Sequence, residues 1–217
     1  MYFFFYYEAY IAILGKIPEK NMYHQTEQAL KKLNLSYKED FSKEFYLVQE
    51  NEFHGLLKNG AHLMDMITEL EMKLYPCEIL WGIGIGRSKE VKEKSLLWEV
   101  DNQAFQNAKE ASNFLIEQNQ KSASFQTNYH IVCDGDNQEI TELLNTSLML
   151  LSSVKRQWSR RQYEIASDCL KFHDGQTAAA KRLGITQSSV QKGLAGADFY
   201  TYQEAVRRFS EAFSQIR

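Results

Sequence analysis

Two carboxylates, Glu50 and Glu52, flank Asn51 in the stretch FYLVQENEFHGLL, Phe45 to Leu57. The flanks are apolar and β-favouring, so the segment predicts a strand, a turn and a second strand with the acids at its exposed tip. Carboxylates grouped at a turn are the ligands a hard cation such as Mg²⁺ takes, and such a cation can position a phosphate. Two acids at a turn equally suit a hairpin tip that needs only to be soluble. A second pattern occupies QTAAAKRLGITQSSVQKGL, Gln176 to Leu194. Its spacing is that of a helix-turn-helix: Ala180 is the small residue at the crossing, and Gly184 supplies a left-handed turn. Leu183, Ile185, Val190 and Leu194 form the apolar wedge. Thr186 then caps a second helix that exposes Gln187, Ser188, Ser189, Gln191 and Lys192. These side chains can hydrogen-bond bases or phosphates.

Cations surround this second pattern. Arg160 and Arg161 precede it, Lys181 and Arg182 lie within it, and Arg207 and Arg208 follow, all of them candidate phosphate contacts. Residues 1–154 carry 14 Lys and Arg against 22 Asp and Glu, while residues 155–217 carry 11 against 6. An acidic body with a basic C-terminal part is the asymmetry expected when one part approaches a polyanion such as double-stranded DNA. An αα-corner with a solvated basic surface is the alternative. Gly193 departs from the helix-turn-helix pattern, because glycine weakens a helix by about 1 kcal/mol.

Other chemistries find no support in spacing. The histidines at 24, 54, 62, 130 and 173 do not pair as HxxxH or HExxH, and there is no GxSxG elbow. Cys77, Cys133 and Cys169 are far apart without a CxxC and read as reduced core thiols. The run from Gly82 to Gly86 has glycine at alternate positions on a strand, which is a weak match to a phosphate loop. No catalytic residue, resident metal or cofactor is therefore expected. The opening MYFFFYYEAYIAILG has Glu8 in its middle and no basic leader, and it is too short to span a bilayer. It reads as a leader before a first strand, with no membrane partner and a cytoplasmic location expected.

The elements that must position these residues follow from periodicity. A strand over 10–15, a helix from Met22, the 45–57 hairpin, a helix through Leu63 to Leu74, a strand over 77–86, a helix over 101–119 and a strand over 125–135 give an α+β fold. The expected arrangement puts helices on one face of a mostly antiparallel sheet. The expected domains are residues 1–137, a connecting helix over 138–157 with Trp158 at its end, and an all-α domain over 158–217. The final helix carries an apolar stripe from Phe199 to Phe213 that either packs inward or joins two protomers.

In that order, YIAILG, NEFHGLL, WGIGIG, DNQAFQNAKEA and the helix-turn-helix resemble the SatD family of bacterial proteins, over nearly the whole chain from about Tyr10. The family's hairpin is in turn similar to that of GGDEF-type nucleotidyl cyclase domains. The resemblance therefore implies a ferredoxin-like, nucleotidyl-cyclase-like βαββαβ palm, in which acids ending the first strand and in the hairpin hold magnesium. This chain departs from that pattern. Lys16 stands where the first-strand aspartate would, and Asn51, preceded by Glu50 and followed by Glu52, stands where the hairpin aspartate would. An ammonium in the first position repels a cation, so Lys16, Glu50, Asn51 and Glu52 read as a degenerate palm site, able at most to bind an anion or nucleotide effector through Lys16. The resulting expectation is a non-enzymatic, homodimeric, DNA-binding transcriptional regulator. The alternatives are a nucleotide-binding or cyclase-like palm whose helix-turn-helix serves assembly, and a scaffold for a protein partner.

Overall fold

The computed structural model describes residues 8–19, 21–88, 102–121, 126–135 and 138–216. Of the leader expected ahead of the strand at 10–15, residues 1–7 lie outside them, and Glu8 and Ala9 belong to the strand itself. At the centre of the sheet is β1, Glu8–Lys16, the segment built on YIAILG. Its Ile11, Ala12 and Ile13 are wholly buried, as a strand covered on both faces must be. After α1 (Tyr23–Ser36) come β2 (Phe41–Gln49) and β3 (Glu52–Leu57), joined by the tight turn at Glu50 and Asn51. Then follow α2 (Leu63–Leu74), β4 (Leu80–Ser88), α3 (Gln103–Lys121) and β5 (Tyr129–Cys133). Among the described residues the strands form one mixed sheet in the order β2-β3-β1-β4-β5. Its pairs are antiparallel except β4–β5, which is parallel.

The fold is mixed α and β, but the helices do not share one face of the sheet. Successive strand residues point to opposite sides. Trp81 of β4 donates its indole N–H to Glu71 of α2 at 3.1 Å, and the Tyr129 hydroxyl donates to the same carboxylate oxygen at 2.8 Å. The opposite face carries Gly82, Gly84 and Gly86, and there α3 lies on the strand. A Cβ at Gly84 would stand 2.0 Å from the Ala104 carbonyl oxygen and 2.1 Å from the Ala108 nitrogen. The alternating glycines are thus a seat for a helix backbone. Tyr10, Ala12 and Leu14 of β1 complete that side with Leu56, Ala104, Phe105 and Ala108.

The remaining helices are α4 (Gln138–Arg156), α5 (Arg160–Phe172), α6 (Gln176–Leu183), α7 (Gln187–Gly196) and α8 (Phe199–Ser214). Two compact units result: one runs through Met149 and takes in Ser210 onward, and the other is Leu150–Phe209. The divide therefore falls inside α4, and the last residues belong with the sheet. In the second unit Ile165, Ala166, Ala179, Ala180, Val190, Leu194, Ala197 and Phe199 form the core, with Leu183 and Ile185 packed at its margin. Trp158 sits in the break between α4 and α5 and donates its indole N–H to the Ala197 carbonyl at 2.6 Å. On α8, Phe199, Tyr202, Val206, Phe209 and Phe213 are all buried within the chain, which settles the apolar stripe as a packing surface.

Candidate functional site

At the hairpin, register determines which side chains meet. Lys16 of β1 is paired with Glu52 of β3, and the neighbouring Ile17 N–H donates to the Asn51 carbonyl at 2.9 Å. Lys16 Nζ stands 3.7 Å from Glu52 Oε2. The other oxygen of that carboxylate meets Nε2 of the buried His54 at 2.8 Å. The His54 ring in turn packs edge-on against Phe105 of α3, 5.2 Å between centroids. Glu50 is exposed at the turn and does not join this group, and Asn51 contributes its backbone. One oxygen of Glu52 thus faces an ammonium and the other an imidazole. Among the described residues no three His, Cys, Asp or Glu side chains cluster as metal ligands do.

The thiols offer no better chemistry. Cys77, Cys133 and Cys169 are free and half-buried, and burial pushes each thiol above its ordinary pKa, away from the nucleophilic thiolate.

In the second unit, local signals build a helix pair around one turn. A capping box starts α5: the Ser159 N–H donates to Gln162 Oε1 at 2.8 Å, and the Gln162 N–H donates to the Ser159 hydroxyl. Gly184 ends α6 with φ 63°, a left-handed conformation, and the Ile185 N–H returns to the Ala180 carbonyl at 3.0 Å. Thr186 caps α7, its hydroxyl accepting the Ser189 N–H at 3.1 Å and lying 2.9 Å from the Ser189 hydroxyl. Val190 and Leu194 turn inward, whereas Gln187, Ser188, Gln191 and Lys192 are exposed. Gly193 has a packing reason: a Cβ there would stand 2.6 Å from Ile165 Cδ1, so the missing side chain lets α7 close onto α5.

The cations divide into committed and free. The Arg182 guanidinium donates to Asp168 at 2.7 and 3.0 Å and to Asp174 at 2.5 and 2.7 Å, and it lies 4.1 Å above the Phe172 ring. This arrangement holds the Asp174 carboxyl below its ordinary range, the hydrogen bond from Arg182 being the main cause. Arg182 therefore ties the end of α6 to α5 rather than standing clear to meet a phosphate. Its partners lie 14 and 8 residues earlier in the chain, a spacing that carries no sequence signal. Arg160 and Arg161 share Glu164 at 3.4 and 2.8 Å on an exposed surface, and Arg207 and Arg208 share Glu204. Hydrogen bonds from that arginine pair, Arg207 first, hold the Glu204 carboxyl down at about 2. Lys181 and Lys192 are exposed and have no ion-pair partner among the described residues. From Gln176 to Gly196 there are three cations and no acid.

No helix among the described residues is long and apolar enough to cross a membrane. Comparison with curated proteins gives no match. The SatD family model matches residues 10–210, which takes in the sheet, the hairpin and α4 through α7 in a single span. That span is nearly the whole chain, and the protein therefore belongs to the SatD family.

Proposed function

We propose that this SatD-family protein is a DNA-binding transcriptional regulator, in which α6 and α7 are a helix-turn-helix and the sheet unit is a ferredoxin-like palm without catalysis. The observation that carries this reading is the outward face of α7. Gln187, Ser188, Gln191 and Lys192 are exposed and uncommitted on a helix pair that bears no acid. A recognition helix presents such side chains to base edges at the N-terminal end where it enters the major groove. Lys181 flanks that face as a phosphate contact. Arg160 and Arg161 join it by exchanging Glu164 for phosphate, an exchange that costs little because exposed ion pairs are weak. Thr186 and Ser189 hold the helix start, and Arg182 holds α6 in place. The protein acts as a homodimer in the cytoplasm, because two half-sites supply the specificity that one helix-turn-helix lacks.

The test is titration of the full chain against genomic duplex fragments at several salt concentrations, with sedimentation on the same sample. Binding whose logarithm falls linearly with the logarithm of salt concentration is expected, together with a dimer mass. Absence of binding even at low salt would sink the reading.

The other reading, a nucleotide-binding or cyclase-like palm with the helix pair serving assembly, has the Lys16–Glu52 pair against it. A thermal-shift series with nucleotides and Mg²⁺ separates the two. A ligand at 100 times its dissociation constant would stabilise the fold by about 2.7 kcal/mol.

A further inference from the structure

We propose that the DNA half-site under α7 is an A·T site, with adenines read by Gln187 and Gln191. This rests on the reading of α6 and α7 as a DNA-contacting pair and says what that pair selects. The fold has already sorted the polar side chains of the segment from Thr186 to Lys192. Thr186 and Ser189 are bonded to each other and to the helix start. The side chains of Gln187, Ser188, Gln191 and Lys192 remain exposed, with no hydrogen bond or ion pair to another side chain among the described residues.

These four are not equal as readers. A carboxamide donates and accepts side by side, which matches the N7 acceptor and N6 amino donor that adenine presents in the major groove. A serine hydroxyl bonds any base, and a lysine only donates, to guanine or to phosphate. Discrimination therefore falls to the two glutamines. They are four residues apart, so they lie on one row of the helix about 6 Å apart along its axis. That is less than two base-pair steps of about 3.4 Å each, and the two adenines fall on neighbouring or next-neighbouring pairs. Ala195 continues the row, is exposed, and offers a methyl group that suits the thymine methyl. No acid stands on α7 to accept from cytosine.

The experiment is selection of bound duplexes from a pool with randomised half-sites, using the full chain as wild type, Gln187→Ala, Gln191→Ala and Gln191→Arg. The wild type is expected to enrich a motif with two A·T pairs one or two steps apart. Each alanine variant loses the preference at one of those positions, by about five- to a hundred-fold, and keeps it at the other. Gln191→Arg moves its position to guanine, which a merely structural role for Gln191 would not do. Unchanged unfolding midpoints establish that the variants remain folded. A wild-type motif of G·C pairs, a motif unaltered by all three variants, or retention of DNA without any enriched sequence would each overturn the assignment. Failure to retain any DNA overturns the reading of α6 and α7 itself, so the two failures are distinct.

Discussion

Lys16 Nζ lies 3.7 Å from Glu52 Oε2 across the β1–β3 register, and His54 takes the other oxygen of the same carboxylate. The lysine neutralises the charge that a divalent ion would neutralise in a phosphoryl-transfer site. Calorimetry with Mg²⁺ or Mn²⁺ is therefore expected to show no binding tighter than about millimolar at the hairpin. Tighter binding that disappears in Glu50→Ala or Glu52→Ala would return the hairpin to metal chemistry.

Two neighbouring cations on α6 separate by role. Lys181 is free, so Lys181→Ala is expected to weaken all duplexes alike and lower the salt slope by about one unit. Arg182 is bound to Asp168 and Asp174, so Arg182→Gln is expected to lower the unfolding midpoint and leave the slope unchanged. Binding titrations over several salt concentrations, paired with melting curves, check both. A fall of one unit in the slope for Arg182→Gln would make it a phosphate contact after all.

Gly84 is the tightest point of the α3 seat, with the Ala104 oxygen and Ala108 nitrogen where a side chain would begin. Backbone cannot rotate away as a side-chain end can. Gly84→Ala must lift α3 off the sheet, an overpacking cost of about 3 kcal/mol or more. Urea unfolding measures it, and a change below 1 kcal/mol, on the order of an ordinary surface substitution, would mean that the seat is loose.

His130 stacks on Phe114 of α3, with ring centroids 3.9 Å apart and 20° between planes. Burial lowers its pKa to about 4. Between its ordinary value of 6.5 and that lowered value, the unfolded chain binds the proton and the folded chain does not. Its contribution to stability is therefore intact above pH 6.5 and falls as the pH drops toward 4, with a slope of at most about 1.4 kcal/mol per pH unit, reduced by its partial exposure. His130→Phe is expected to flatten that part of the stability profile. Parallel urea titrations at pH 7 and pH 4.5 show the difference, and equal losses in both proteins would remove His130 as the cause.

The element order was legible in the sequence because the signals that make strands and helices are local. The apolar run over 10–15, the Glu50–Asn51 turn, the period through Leu63 to Leu74, Gly184 as a left-handed stop and Thr186 as a cap each act within a few residues. Of the expected apolar wedge, Val190 and Leu194 are buried and Leu183 and Ile185 half-buried, with Ala180 buried at the crossing, for the same reason: a helix's inward row is written in its spacing. The family was legible too, since its motifs keep their order along the chain.

Partners across the fold were not legible. The alternating glycines of β4 stood in the sequence as a weak phosphate-loop match, and it was the tertiary structure that brought α3 to that face and so covered both sides of the sheet. Gly193 looked like a defect in a helix until Ile165 of α5 was placed against it. Arg182 counted as one more surface cation until folding put Asp168 and Asp174 around it, while Lys181, beside it in sequence, stayed free. Composition determines how much charge and apolar surface a segment carries. Whether a given side chain is spent inside the fold or left to meet a partner depends on elements distant in sequence, and no local period encodes them.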